Sequence, residues 1–202
     1  MLKHFTDRKA VHLIATESRR IDITPYQLSQ VHIEMGKYLA YEILEELELE
    51  DCEIQHPQGL KTGKRLKNEK NVLIMDFMRA GVYLGDGLRY IFQNSPYFHV
   101  SPKRNEGLPQ EDLDSLGSVD GKVIILVDSV INTGNTMRPV IEQLVKFKPR
   151  KIFATCQVMP YDTAESLEKE YPEVLFFIFR LSANKYVGKG KTDTGNRLFG
   201  TL

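Results

Sequence analysis

The sequence predicts one α/β domain, residues 1–202, built on a parallel sheet with flanking helices. Five apolar runs after residue 70 read as buried strands, at Val72–Met75, Phe98–Val100, Val123–Val127, Ile152–Val158 and Val174–Phe179. Helical patterns follow near Leu84–Phe92, Met137–Lys148 and Thr163–Tyr171, the last with Asp162 and Glu165 as a capping pair. Alternating β and α units imply parallel strands joined by right-handed crossovers. Residues 71–202 are therefore predicted to form the core of the domain.

The first seventy residues are predicted to be a helical and loop addition to that core. Thr24 is a helix N-cap, because a proline follows it in the first turn and Gln27 completes a capping box. The acidic run 45–51 and the basic residues between Lys61 and Lys70 are expected to be solvated surface.

Composition excludes several classes of function. Lysine plus arginine equals aspartate plus glutamate, at 27 each, so no overall charge attracts nucleic acid or an anionic membrane. No apolar run approaches the ~20 residues that span a bilayer, and the amino terminus lacks the apolar core of a signal peptide. Cys52, Cys156 and the five histidines show no metal-ligand spacing. We expect free thiols and a cytoplasmic location.

The most informative stretch is the strand Val123–Val127 with the nine residues that follow it. Asp128 stands at the carboxyl end of the strand, and a Thr-Gly-Asn-Thr turn, 133–136, then opens a helix. Ligands bind outside the carboxyl ends of strands in open α/β sheets, and helix amino termini bind phosphate. The stretch therefore predicts a sugar-phosphate site, although an ordinary Asp turn that caps a helix has the same residue types.

This stretch resembles the phosphoribosyl-diphosphate (PRPP) signature of type I phosphoribosyltransferases. In that family the first acid contacts the ribose hydroxyls, and the Thr-Gly-x-Thr backbone holds the 5′-phosphate. Most members carry a second acid where this chain has Ser129, whereas the uracil-specific branch commonly has proline there. The resemblance implies that one continuous segment binds PRPP: Asp128, Ser129, Val130, Ile131, Asn132, Thr133, Gly134, Asn135 and Thr136.

Two further motifs resemble the uracil-specific branch. Arg79-Ala-Gly81 with Asp86-Gly87 is similar to its diphosphate-binding loop, which implies that Arg79 contacts PRPP. Arg104-Asn-Glu is similar to an element whose arginine reaches the diphosphate. The following residues, 107–121, are rich in Gly, Pro, Asp and Ser, and correspond to the flexible flap that covers PRPP in the family. Closure of such a flap would exclude water from the reacting centre.

The carboxyl-terminal stretch 186–201 resembles the family's base-binding tail, whose backbone reads the edges of uracil. The resemblance implies a base pocket formed by Val187, Thr192, Asp193 and Thr194, with Asp193 also next to PRPP. The tail departs from the family pattern at Lys189, Lys191 and Thr192, and at Asn196, where the family has an acid.

The chain is therefore identified as a member of the uracil phosphoribosyltransferase family, with uracil and PRPP giving UMP and pyrophosphate. The resemblance implies a homodimer and a Mg²⁺ ion held mainly by PRPP oxygens, with Asp128, Arg79, Arg104 and Asp193 as catalytic residues. Membrane and nucleic-acid partners are not expected. Two alternatives stay open because of Ser129 and the altered tail: transfer to a different base, and a catalytically weak homologue that senses nucleotides or PRPP.

Overall fold

The computed structural model of the chain describes residues 1–185 and 188–201. The elements are β1 (Leu2–His4), α1 (Lys9–Arg19), α2 (Pro25–Leu44), β2 (Leu49–His56), β3 (Gly59–Leu66), β4 (Val72–Phe77), α3 (Val82–Arg89), β5 (Tyr97–Val100), α4 (Gln110–Leu116), β6 (Val123–Val130), α5 (Met137–Val145), β7 (Lys151–Pro160), α6 (Tyr161–Glu170), β8 (Val174–Ser182) and α7 (Thr194–Phe199). Among these residues no helix is both long and apolar enough to cross a membrane.

Six strands form one sheet in the order β1-β8-β7-β6-β4-β5, and every neighbouring pair is parallel. The central strands β4 and β6 are almost wholly buried, which explains why their apolar runs are continuous rather than alternating. Separate hydrophobic clusters cover the two faces of the sheet. The five strands predicted from apolar runs and the parallel sheet are confirmed.

The amino-terminal segment differs from the prediction of helices and loops. The three residues of β1 add a parallel strand to the edge of the sheet beside β8, and β2 and β3 form a separate antiparallel hairpin. The hairpin was missed because both of its strands are polar and mostly exposed, so they lack an apolar alternation. The capping box of Thr24 and Gln27 is confirmed at the start of α2.

Two other elements differ in detail from their predicted form. Helix α6 begins at Tyr161 with Pro160 as its N-cap, so the predicted capping pair of Asp162 and Glu165 is wrong. The predicted flap contains α4, and the apolar side chains of Leu108 and Leu116 are buried against the core. The mobility of that segment stays a prediction.

Helix α2 supports the strand-to-helix junction that carries Arg79. A Cβ atom at Gly36 of α2 would lie 2.1 Å from the carbonyl oxygen of Leu84 in α3, and one at Gly87 would lie 2.2 Å from the carbonyl oxygen of Ile33. Both distances are far below van der Waals contact, so the two helices approach at backbone distance only because both positions are glycine.

Candidate functional site

A cavity of about 190 Å³ lies where β6 ends and the chain turns into α5. We call it the loop cavity, because the loop that joins these elements forms most of its wall. Asp128 and Arg104 complete the lining, which is Arg104, Asp128, Val130, Ile131, Asn132, Thr133, Gly134, Asn135, Thr136 and Met137. Eight of the nine residues of the predicted PRPP segment are thus brought together around one cavity, with Ser129 as the exception.

A second cavity of about 240 Å³ adjoins the first and is lined on one side by the carboxyl-terminal tail. We call it the tail cavity; it is lined by Ala80, Asp128, Val130, Asn132, Gly188, Asp193, Thr194 and Gly195. Asp128, Val130 and Asn132 line both cavities. The structure therefore joins the strand-end acid and the glycine-containing loop to the tail, which is far from them in the sequence.

The pKa of the Asp128 carboxyl group lies near neutral pH. Burial raises its pKa from 3.8 to about 7, and the backbone N–H groups of Ser129 and Val130 oppose that shift without cancelling it. An isolated carboxylate in such a place is costly unless a ligand supplies hydrogen-bond donors or positive charge. Asp128 therefore has the electrostatic character of a ligand-binding acid.

Asn132 presents a second acceptor without a partner. Its side-chain oxygen Oδ1 is buried and has no hydrogen-bond donor in the part of the chain that the structure describes. The backbone is fixed, because the Thr163 hydroxyl donates to the Asn132 carbonyl oxygen at 2.7 Å. Buried polar atoms are normally satisfied, so the unpartnered Oδ1 marks Asn132, which lines both cavities, as a candidate acceptor for a ligand.

Arg138, near the start of α5, stabilises the backbone of the loop at residues 133–134. Its guanidinium donates to the carbonyl oxygen of Thr133 at 2.5 Å and pairs with Glu170 at 2.6 Å. Gly134 has φ +76, and a Cβ there would lie 2.5 Å from the Arg138 guanidinium. Only glycine combines that backbone conformation with the close approach of the arginine. The Thr133 carbonyl is therefore held by Arg138, and the shape of the turn is fixed.

Arg104 reaches the loop cavity from the connection between β5 and α4. The backbone N–H of Asn105 donates to the carbonyl oxygen of Asn135 at 2.9 Å, which ties this connection to the loop. Gln143 of α5 accepts from the Leu108 N–H at 2.7 Å and donates back to the Leu108 carbonyl at 3.2 Å. The predicted diphosphate arginine thus lies on an anchored segment at the mouth of the cavity.

Arg79 contacts the tail rather than either cavity. Its guanidinium donates to the side-chain oxygen of Asn196 at 3.0 Å and to the Thr201 hydroxyl at 3.1 Å, and lies 5.4 Å from the Phe199 ring centroid. Its neighbour Ala80 lines the tail cavity. The predicted role of Arg79 in binding PRPP stays a prediction, and in this structure its side chain fastens the tail.

The tail residues divide into two groups. Asp193 and Thr194 line the tail cavity, and Asp193 also caps α7 by accepting from the Asn196 N–H at 2.8 Å. Thr192 lines neither cavity. Its hydroxyl accepts from the Lys189 N–H at 3.0 Å and donates to the Lys189 carbonyl oxygen at 3.0 Å. Val187, the remaining predicted base-binding residue, lies outside the residues that the structure describes.

Ser129 faces away from the loop cavity. Its hydroxyl lies 3.2 Å from His32 Nε2 and accepts from the Gln157 amide at 3.0 Å, while His32 Nδ1 lies 2.9 Å from the Leu28 carbonyl oxygen. Burial lowers the pKa of His32 to about 4, so the ring is neutral, with the proton on Nδ1 facing that carbonyl. The side chain of Ser129 thus joins β6 to α2 and β7.

The sequence analysis did not predict the contact of Arg138 with the loop or that of His32 with Ser129. Arg138 lies four residues after Gly134, and that spacing is the one available signal, because it places the arginine over the turn. No local pattern could connect Ser129 with His32, which is 97 residues away. Among residues 1–185 and 188–201, no three histidine, cysteine, aspartate or glutamate side chains are grouped to hold a metal ion.

The strand-end acid, the glycine turn that opens a helix and the tail beside the same acid meet at the carboxyl edge of the parallel sheet, where α/β proteins bind sugar phosphates. Residues 5–201 match the family model described as uracil phosphoribosyltransferase. The family match identifies the class of protein as a phosphoribosyltransferase. The chain therefore belongs to the uracil phosphoribosyltransferase family.

Named relatives agree with this assignment, and a solved structure shares the fold. Proteins named uracil phosphoribosyltransferase from Staphylococcus epidermidis and Streptococcus pneumoniae are each 30% identical to the chain, over 83% and 91% of it and 83% and 90% of their own lengths. The structure of the AQ2163 protein from Aquifex aeolicus has a TM-score of 0.80 at 23% identity and covers 98% of both chains. That structure shows the same fold.

Proposed function

We propose that the chain transfers the phosphoribosyl group of PRPP to uracil, which gives UMP and pyrophosphate. The observation that carries the proposal is the pair of adjoining cavities that share Asp128, Val130 and Asn132. One cavity has the backbone of a phosphate-binding loop, and the other has the tail that resembles a base-reading segment. A ribose that spans the shared wall would present its 5′-phosphate to the loop and C1′ to the tail.

The loop cavity suits the 5′-phosphate. Residues Thr133 to Thr136 precede α5, so the backbone N–H groups at the amino end of this helix are available to an anion. In the tail cavity, Asp128 and the unpartnered Oδ1 of Asn132 are acceptors for the ribose hydroxyls. Donation by those hydroxyls would favour the ionised form of Asp128 and so return its pKa towards the ordinary range.

The same oxygen atoms fit a Mg²⁺ ion. Mg²⁺ prefers oxygen ligands and keeps few protein ligands when a phosphate substrate is present, and Asp128 and Asn132 supply carboxylate and amide oxygens. When bound, the ion would neutralise charge on the departing diphosphate. These two residues would hold it together with oxygens of PRPP.

The reaction itself requires positioning and charge stabilisation. As the bond from C1′ to the diphosphate breaks, Arg104 neutralises the leaving group, and Arg79 does so if the diphosphate displaces its contacts with the tail. The tail, with Asp193 and Thr194, holds the base so that N1 forms the new bond to C1′ and the N1 proton passes to the departing pyrophosphate. Alignment of these two atoms supplies much of the acceleration. The resemblance also leads us to propose a cytoplasmic homodimer.

Turnover of PRPP with uracil in the presence of Mg²⁺ tests the proposal. We expect UMP and pyrophosphate in equal amounts, and Arg104→Gln should lower kcat by at least ~100-fold because one cationic partner of the leaving group is lost. Arg65→Gln is the matched control, since Arg65 is on the distant β2–β3 hairpin and pairs with Glu50. Absence of UMP with PRPP bound, or equal activity of Arg104→Gln and Arg65→Gln, would contradict the proposal.

A further inference from the structure

A third cavity, of about 300 Å³, adjoins the tail cavity. Val130 and Thr194 line both this cavity and the tail cavity, so the two are continuous neighbours. We call it the arginine cavity, because Arg19, Arg180 and Arg197 contribute to its wall. Its volume is at the lower end of the range for small-molecule sites, which is the size expected for part of a small ligand.

The charged side chains that line this cavity are all cationic. Four cationic side chains line it, with Lys185 as the fourth, and no aspartate or glutamate is among the lining residues. Lys185 pairs with Asp162 at 2.8 Å, whereas none of the three arginines has an ion pair among the residues that the structure describes. The wall therefore carries positive charge that the protein does not neutralise.

Arg180 is the least compensated of the three arginines. It is half-buried, and its guanidinium donates a long hydrogen bond, of 3.4 Å, to the carbonyl oxygen of Leu181. Arg197 instead donates to the carbonyl oxygens of Ser18 and Arg20, and Arg19 donates to that of Ala15. Burial and the nearby charge of Arg19 lower the pKa of Arg180. A half-buried guanidinium without a carboxylate is stabilised by an anionic ligand.

Neutral polar groups line the inner wall. His32 is uncharged at physiological pH, and the Gln157 amide is oriented by its hydrogen bond to Ser129. A carboxylate that entered between Arg180 and Gln157 would therefore meet no negative charge from the residues that line the cavity. Such a geometry suits a planar anion, because a guanidinium can bind a carboxylate with two parallel hydrogen bonds.

We propose that the chain also transfers the phosphoribosyl group to uracil rings that carry a carboxylate on the C5–C6 edge, with the carboxylate in the arginine cavity. This inference rests on the proposed function. The tail backbone is assigned to the edge of the base that carries N3 and the two carbonyls, which leaves the C5–C6 edge free. A base in the tail cavity could direct that edge past Val130 and Thr194, which line both cavities, into the arginine cavity. The C1′–diphosphate bond breaks and the C1′–N1 bond forms as for uracil, and the carboxylate stays intact.

The test compares uracil with uracil-5-carboxylate and uracil-6-carboxylate as acceptors, with PRPP and Mg²⁺ held constant. We expect a nucleoside monophosphate from at least one carboxylated base. Arg180→Gln should lower kcat/KM for that base at least ~10-fold more than it lowers kcat/KM for uracil, since a charged hydrogen-bond pair is lost for one acceptor only. Arg180→Lys should recover part of the difference, because it restores the charge without the paired geometry.

Arg65→Gln again serves as the matched control, and thermal unfolding of each variant separates misfolding from lost recognition. Turnover of uracil with neither carboxylated base used or bound would overturn the inference and leave the proposed function intact. Equal losses for both acceptors in Arg180→Gln would also overturn it. If no base is turned over, the proposed function fails. Calorimetric binding of the two carboxylated bases to the wild type and to Arg180→Gln then tests the inference by itself. Binding that weakens in Arg180→Gln supports an anion site, and the absence of binding to the wild type overturns it.

Discussion

Substitution of Asp128 by asparagine should stabilise the ligand-free protein and inactivate it. The change keeps the shape of the side chain and removes its charge. Because burial raises the pKa of Asp128 from 3.8 to about 7, the folded state holds its proton over a pH window in which the unfolded state has lost it. The free-energy cost of ionising Asp128 in the folded state is therefore absent below pH 3.8, grows between pH 3.8 and about pH 7, and is complete above about pH 7.

The size of the effect follows from the same two values. Each pKa unit corresponds to ~1.4 kcal/mol, so ionisation of Asp128 costs the folded state at most ~4 kcal/mol at pH 8 and ~2 kcal/mol at pH 5. The side chain retains some solvent contact at the cavity wall, which reduces both figures. The gain from Asp128→Asn should thus be larger at pH 8 than at pH 5.

Denaturant unfolding at both pH values measures this gain, and UMP synthesis measures the loss of function, which we expect to be at least ~100-fold. Asp120→Asn is the matched control, because Asp120 is exposed and removal of its charge should alter neither quantity. A gain that is absent, or equal at the two pH values, would refute burial as the cause of the raised pKa. Near-normal turnover would refute the role of Asp128 at the ribose.

Three further substitutions test the site. Asn132→Ala removes the orphaned acceptor, so the free energy of unfolding should rise by ~1 kcal/mol while calorimetry shows weaker PRPP binding; lower stability with intact affinity would contradict this. Arg138→Met frees the Thr133 carbonyl, so the KM for PRPP should rise by ~10-fold with little change in uracil KM, and equal changes in both would argue for general misfolding. Arg79→Gln should lower kcat by at least ~100-fold and make the tail more accessible to proteolysis; a protected tail would show that its contacts with Asn196 and Thr201 are dispensable.

The core of the fold was predictable because buried parallel strands are continuous apolar runs, and Val123–Val127 is such a run. β1 was not predictable, because three residues carry no periodicity and the strand exists only through its pairing with β8. Helix α6 begins one residue before Asp162, the acid predicted to cap it, so Asp162 lies inside the first turn and Pro160 at the end of β7 is the N-cap.

The candidate site was predictable where one segment supplies it. The loop from Asp128 to Thr136 was located by residue types that suit phosphate. The structure brings eight of its nine residues around one cavity, and phosphate binding there stays a prediction. The direction of Ser129 was not predictable, because its partners come from α2 and β7. The arginine cavity lay beyond sequence reasoning for the same reason: Arg19 and Arg180 meet only after α1 packs beside the end of β8.

The contact between Arg79 and Asn196 has an electrostatic consequence. An amide oxygen orients the guanidinium without cancelling its charge, whereas the acid that the family pattern has at this position would form an ion pair. At this position the tail therefore carries one more positive charge than that pattern implies. Long-range attraction of a polyanion scales with such charge and is screened by salt. The rate of PRPP association should accordingly fall with ionic strength more steeply in this chain than in an Asn196→Asp variant.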